Sequence, residues 1–178
     1  AQIKSPYEHI IGMIRQFDLT IDRLQAGTIF YYTANQSQQL LDPPNVKGWP
    51  GYHAWMSTTT LPLRGVLSTA IAVAGSLPAI GGDGYNSNIS NSPIQLTGDQ
   101  VTAWGKQFAN YNGDFDDLLT EMATYLCPQP IGDNAHAYVK SKLPPNTYEW
   151  QSLTDKEKIT GLRLLANTIM KLAEYQLA

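Results

Sequence analysis

Five residues that break regular backbone structure, Pro43, Pro44, Gly48, Pro50 and Gly51, fall within nine positions of this chain. Proline fixes its own φ and removes a backbone donor, and glycine adopts angles other residues avoid. Neither a helix nor a strand continues through such a stretch. Residues 36–52 must therefore form an ordered connection. Asn45, Val46, Lys47 and Trp49 lie within it, and His53, Trp55 and Arg64 follow. On both sides the apolar spacing is helical, so the sequence describes helices arranged around a rigid loop.

Ser5-Pro6-Tyr7-Glu8 is a capping box with proline at the first helical position. Behind it, Ile10, Ile11, Ile14 and Phe17 mark an apolar face. A second helix is expected over 21–35, capped by Asp18 or Thr20, with Leu24, Thr28, Ile29 and Tyr32 inward. A third should cover 58–74, with Thr58 as N-cap and Gly75 as C-cap. Residues 76–96 are rich in Gly, Asn and Ser and bury little, which predicts a flexible loop. Beyond it the pattern predicts helices over 98–111, 115–126 and 134–143. A last long helix should run to about Tyr175 from the capping box Thr154-Asp155-Lys156-Glu157, with Ile159, Leu162, Leu165, Ile169 and Leu172 inward. No run alternates as a strand would. The expected fold is all-α: an irregular bundle of about six helices forming one domain over 1–178. It divides into a motif-bearing half (1–75), the flexible loop (76–96) and a second helical half (97–178).

Length and hydrophobic content suffice for a core without covalent staples. Only 15% of residues are charged, below the usual quarter, and the net charge is -3. Such a balance offers no basic face to phosphates, which argues against nucleic acid as a partner. Cys127 is the single cysteine, so no intrachain disulfide forms; it reads as a small apolar residue at a helix end. The longest apolar run, 66–77, is interrupted by Ser68, Thr69, Gly75 and Ser76, so no membrane span is expected. The chain opens at Ala1, which suggests a trimmed or processed product.

Chemistry-bearing patterns are sparse. His9, His53 and His136 stand apart without metal-ligand spacing. His9 reads as a surface or packing residue and His136 as solvated; His53, beside the loop, is the one candidate acid, base or ligand. No nucleophile elbow is present, and Gly81-Gly82-Asp83-Gly84 lacks the Gly-Lys-Ser/Thr of a phosphate-binding loop. No catalytic motif, cofactor or metal is therefore assigned. Asn110, Asn112, Asp114, Asp116 and Glu121 fall at positions 1, 3, 5, 7 and 12 of a calcium loop, but Phe115 takes the glycine place. The better reading makes Asp114 the cap of the next helix, with Asp116 and Asp117 in its first turn. Tyr52, Tyr85, Tyr148 and Trp150 are loop aromatics suited to an interaction surface.

Two readings of the loop follow from its chemistry. In the structural one, Trp49 and Trp55 plug a seam between helices and the prolines stiffen the connection. Gly48 and Gly51 then supply unusual backbone angles, Asn45 bonds the loop to itself, and Arg64 reaches back to its carbonyls. In the functional one, Pro44, Asn45, Lys47, Gly48, Trp49, His53, Trp55 and Arg64 form a ligand or interaction loop, tryptophan faces suiting a sugar ring or a cation.

Lys4-Ser5-Pro6-Tyr7-Glu8, the Pro43-Pro44-Asn45-Val46-Lys47-Gly48-Trp49-Pro50 loop, Trp55, Arg64 and the tail Glu174-Tyr175-Gln176-Leu177 together resemble the DUF1800 family, bacterial proteins without an assigned activity. Its members are longer, so the resemblance implies a C-terminal portion of a larger protein, periplasmic or secreted. The implied partner is the upstream region of the same protein or another envelope protein. The expected function is a non-catalytic helical interaction or structural domain, which predicts exposed apolar surface. The alternative is the substrate-binding part of a secreted enzyme acting on a polysaccharide or cell-envelope polymer, with a glycan on the loop. That predicts a pocket beside Trp49, Trp55 and His53 holding a shifted titratable group.

Overall fold

The computed structural model describes residues 2–22, 25–77 and 94–178, and the chain is all-α with seven α-helices among them. Two compact units emerge, Ala1–Gln95 and Leu96–Ala178. Leu24, Tyr85 and Gly81 to Gly84 lie outside the described residues, as does most of the loop expected over 76–96.

In the first unit, α1 (Pro6–Gln16) opens on the expected capping box: Ser5 accepts from the Glu8 N–H and Glu8 bonds back to Ser5. Its buried face is Pro6, His9, Ile10, Met13 and Ile14, so Ile11 is only half-buried and His9 stands among the apolar residues. Helix α2 (Gln25–Asn35) packs on α1 and buries Thr28 and Ile29. Neither Asp18 nor Thr20 caps it. Asp22 Oδ1 accepts from the Gln25 N–H at 2.8 Å while Gln25 Oε1 accepts from the Asp22 N–H at 3.0 Å. Asp18, at φ 51°, instead turns the chain after α1. Helix α3 (Thr60–Ala72) starts later than expected: Thr59 takes the N-cap position without a side-chain bond, and Ser57 Oγ, ahead of the helix, accepts from the Thr59 and Thr60 N–H groups. Gly75, at φ 73°, lies three residues past its end. Two residues, β1 (Ser76–Leu77), pair antiparallel with β2 (Ile94–Gln95), a clasp that alternation over so short a span does not announce. Ile10, Met13, Phe17, Ile29, Leu67 and Ile71 form the core, and the Ser68 hydroxyl meets Met13 Sδ at 3.8 Å, joining α3 to α1.

The second unit is built on α7 (Asp155–Met170), which packs against α4 (Gly98–Gly105), α5 (Phe115–Leu126) and α6 (Asp133–Ser141). Leu162, Leu165, Ala166, Ile169 and Met170 are wholly removed from solvent, so the helix sits centrally. Capping boxes at Thr97–Gln100 and Thr154–Glu157 open α4 and α7. Helix α4 stops well before residue 111. At its end Gly105 lies so close to Leu162 Cδ1 and the Tyr111 ring that a Cβ has no room, and the chain turns through a 3-10 segment, Ala109–Asn112. Helix α7 likewise ends before Tyr175. A 3-10 turn, Glu174–Gln176, folds back, and Gln176 Nε2 donates at 3.0 Å to the Met170 carbonyl left open by the helix end. Among the described residues no helix is long and apolar enough to cross a membrane.

Candidate functional site

The loop begins where α2 ends. Gln36 and Gln38 are buried polar side chains, and Gln38 Oε1 accepts from the Tyr7 N–H at 2.9 Å, satisfying a donor that the first turn of α1 leaves open. Ser37 and Leu41 then adopt left-handed backbone angles, φ 70° and 65°. Leu41 holds that conformation while 98% exposed. At the tip, Asn45 Oδ1 accepts from the Lys47 N–H at 2.8 Å, and the Gly48 N–H donates to the Asn45 carbonyl at 2.9 Å. Gly48 closes this turn at φ 87°, where a side chain would be strained. Asn45 thus bonds the loop to itself as the structural reading expected. Pro43, Pro44, Asn45 and Lys47 are exposed, and Val46 is fully so.

The second half of the motif turns inward. Gly51, at φ 66°, leads into a 3-10 turn, Tyr52–Trp55, that drives Trp55 into the core at 5% exposure. The Trp55 carbonyl accepts from Thr60 Oγ1 at 2.9 Å, fixing this turn to the start of α3. Trp49 is half-buried, so the seam is filled by Trp55. Arg64 is wholly buried, and its Nη2 donates at 2.9 Å to the Lys4 carbonyl ahead of α1. The sequence aimed Arg64 at the loop carbonyls; the Lys4 contact places its guanidinium beneath α1.

Electrostatics follow burial. Desolvation brings the Arg64 guanidinium down to about 10, opposed by the Glu8 carboxylate, so it stays charged at neutral pH. Burial lowers His9 to about 3, with further repulsion from Arg64 and then Lys4, so His9 is neutral in the fold. Of the two readings, surface or packing, His9 takes the packing one. Its spacing from Pro6, Ile10 and Met13 was the sequence signal that it joins the core.

The eight motif residues do not share one surface. Pro44, Asn45, Lys47 and His53 face solvent, Gly48 and Trp49 are intermediate, and Trp55 and Arg64 are interior. The arrangement holds a tip rigidly and presents it.

In the second unit the calcium-like spacing resolves into ordinary anchoring. Glu121 accepts from the N–H groups of Ala109 (2.7 Å) and Asn110 (3.0 Å), and Asn110 Nδ2 adds a third bond. Asp114 caps α5, and Asp116 pairs with Lys140 at 2.7 Å. Among the described residues no cluster of three or more His, Cys, Asp or Glu is placed to hold a metal ion. Cys127 is buried at the end of α5. Trp150, expected in an exposed loop, is 1% exposed: its indole N–H donates to the Tyr111 carbonyl at 2.6 Å and its ring packs on Phe115 and Tyr111. Tyr148 remains exposed, and His136 is half-buried.

No curated protein and no solved structure matches this chain. The model of one family, described as a protein of unknown function (DUF1800), matches residues 1–177. A capped α1, the rigid loop with its buried Trp55 and Arg64, and the folded-back tail are thus parts of one continuous match, and the chain belongs to the DUF1800 family.

Proposed function

We propose that this chain is a non-catalytic helical interaction domain and that the tip of its Pro/Gly/Trp loop is the docking element. One observation carries the reading. The loop is fastened by buried Trp55 and Gln38, yet it holds Leu41 and Val46 at essentially full exposure. Keeping a leucine in left-handed backbone costs roughly 1–3 kcal/mol, which the fastening around it must offset, and strain of this kind clusters at ligand clamps and switch regions. The wider surface agrees. Every exposed large aliphatic residue among those described, Leu41, Val46, Leu61, Val66 and Val73, belongs to the first unit, while the second exposes tyrosines.

The polymer-acting enzyme reading asked for a shifted titratable group in a cleft at Trp49, Trp55 and His53. Among the described residues of the first unit the shifted groups are His9, Tyr32 and Arg64, and burial is the leading cause in each. The partner fitting the family resemblance is the upstream region of the same protein or another envelope protein, in the periplasm or outside the cell.

The test is a binding titration against the separately expressed upstream region, followed by tryptophan fluorescence. Saturable binding is expected, weakened about tenfold or more by the double variant Leu41→Asp, Val46→Asp with its melting temperature unchanged. A double variant that binds like the parent chain removes the tip as the docking element.

A further inference from the structure

The second unit carries a feature independent of the loop. Near the end of α4 and along α5, an open cavity of about 530 Å³ is lined by Gln107, Phe108, Glu121, Thr124 and Tyr125. Two of its walls are aromatic. The Phe108 and Tyr125 rings meet edge to face, centroids 5.5 Å apart and planes at 82°, and buried Trp104 packs against both at 5.1 and 6.5 Å. Tyr125 is 45% exposed and Phe108 is buried, so a guest meets the Tyr125 ring with Phe108 packed beside it.

The third wall is a carboxylate. Glu121 is held in place by the Ala109 and Asn110 N–H groups and by Asn110 Nδ2. Desolvation pushes its carboxyl upward, but these bonds together keep it below the ordinary range, so it is ionised at neutral pH. Three of its lone-pair sites are already taken, of roughly four that a carboxylate has. It therefore offers negative charge with little capacity to accept further hydrogen bonds. A primary ammonium gains few hydrogen bonds from so occupied a carboxylate, whereas a quaternary ammonium has no N–H to place and needs only the charge.

From this cavity, its perpendicular ring pair and its occupied carboxylate, we propose that the second unit binds a trimethylammonium group. The group seats against Phe108 and Tyr125 with Glu121 balancing its charge. The volume leaves room for the rest of the molecule, and the Gln107 amide and Thr124 hydroxyl lie at hand for its polar end.

The test titrates the full chain with choline and with its neutral isostere 3,3-dimethylbutan-1-ol at matched ionic strength, following the Trp104 indole resonance. Saturable shifts are expected with choline and none with the isostere. Tyr125→Phe should keep binding, whereas Tyr125→Ala and Thr124→Arg should weaken it about tenfold or more. Thr124 is exposed on α5, so the arginine variant keeps the proposal testable even if Tyr125→Ala fails to fold. Phosphatidylcholine vesicles carry the same group on a lipid. Co-sedimentation that Thr124→Arg abolishes assigns a headgroup as occupant; saturation by choline without co-sedimentation assigns a free solute. Equal shifts from the isostere, no saturation by choline together with no co-sedimentation, or unchanged binding by Thr124→Arg would overturn the proposal.

Discussion

Arg64 and Lys4 meet across sixty residues of sequence: the guanidinium Nη2 on α3 donates a 2.9 Å hydrogen bond to the main-chain carbonyl of Lys4. The contact closes the first unit by fastening the segment that leads into α1. Because Arg64 is wholly buried, it takes a cation out of water for this purpose. Lysine lacks the planar fork and is more strongly hydrated. Arg64→Lys should therefore lower unfolding stability by about 2 kcal/mol, read by urea denaturation. An unchanged midpoint would mean that the contact is dispensable.

His9 makes the first unit sensitive to acid. Its folded value of about 3 lies below its ordinary 6.5, so the unfolded chain takes up the proton first. The contribution is complete above pH 6.5 and is lost as pH falls towards 3. Between pH 7 and pH 5 the expected loss is about 2 kcal/mol. Melting temperature against pH should slope over this window in the parent chain and flatten in His9→Gln. The groups facing His9 that carry charge are Arg64 and Lys4, both cationic throughout the window, so the slope belongs to the imidazole.

Trp55 and Val46 belong to one motif and should behave oppositely. Trp55→Ala opens a cavity in the core and should cost about 3–5 kcal/mol. Val46→Ser removes a side chain that touches only solvent and should stay within about 0.5 kcal/mol. Half-buried Trp49 should fall between them on substitution by alanine. Thermal denaturation of the three variants orders them directly. A Val46→Ser loss as large as that of Trp55→Ala would contradict an outward-facing tip.

Gly161 on α7 faces Trp150. A Cβ there would stand 2.8 Å from Trp150 Cζ3, against a ring held by its bond to the Tyr111 carbonyl. Alanine is favoured over glycine in a helix by about 1 kcal/mol. Overpacking against a fixed indole should still outweigh that and leave Gly161→Ala less stable by about 1 kcal/mol. A stabilised variant would show that Trp150 can shift.

Much of the local structure was legible. Ser5 with Glu8 and Thr154 with Glu157 announced their helices because a capping box satisfies N–H groups three residues away, within reach of local pattern. Helix ends were less legible. At the end of α4, Gly105 is packed against Leu162 and Tyr111 with no room for a Cβ, and Gln176 closes α7 from beyond its last turn. Both depend on groups that the local sequence does not contain.

By itself the sequence determined the all-α class, the position of the rigid loop, the glycines that turn it and the family to which the chain belongs. These rest on backbone sterics and short-range bonding, which act between near neighbours. Only the tertiary structure decided which motif residues are anchors and which are presented. Trp49 and Trp55 have the same chemistry, but the 3-10 turn aims Trp55 inward and leaves Trp49 at the boundary. Arg64 found Lys4, Trp150 found the Tyr111 carbonyl, and Phe108 met Tyr125 at a right angle through contacts between distant segments. Which polar group meets which carbonyl is set by packing, and packing is a property of the assembled core.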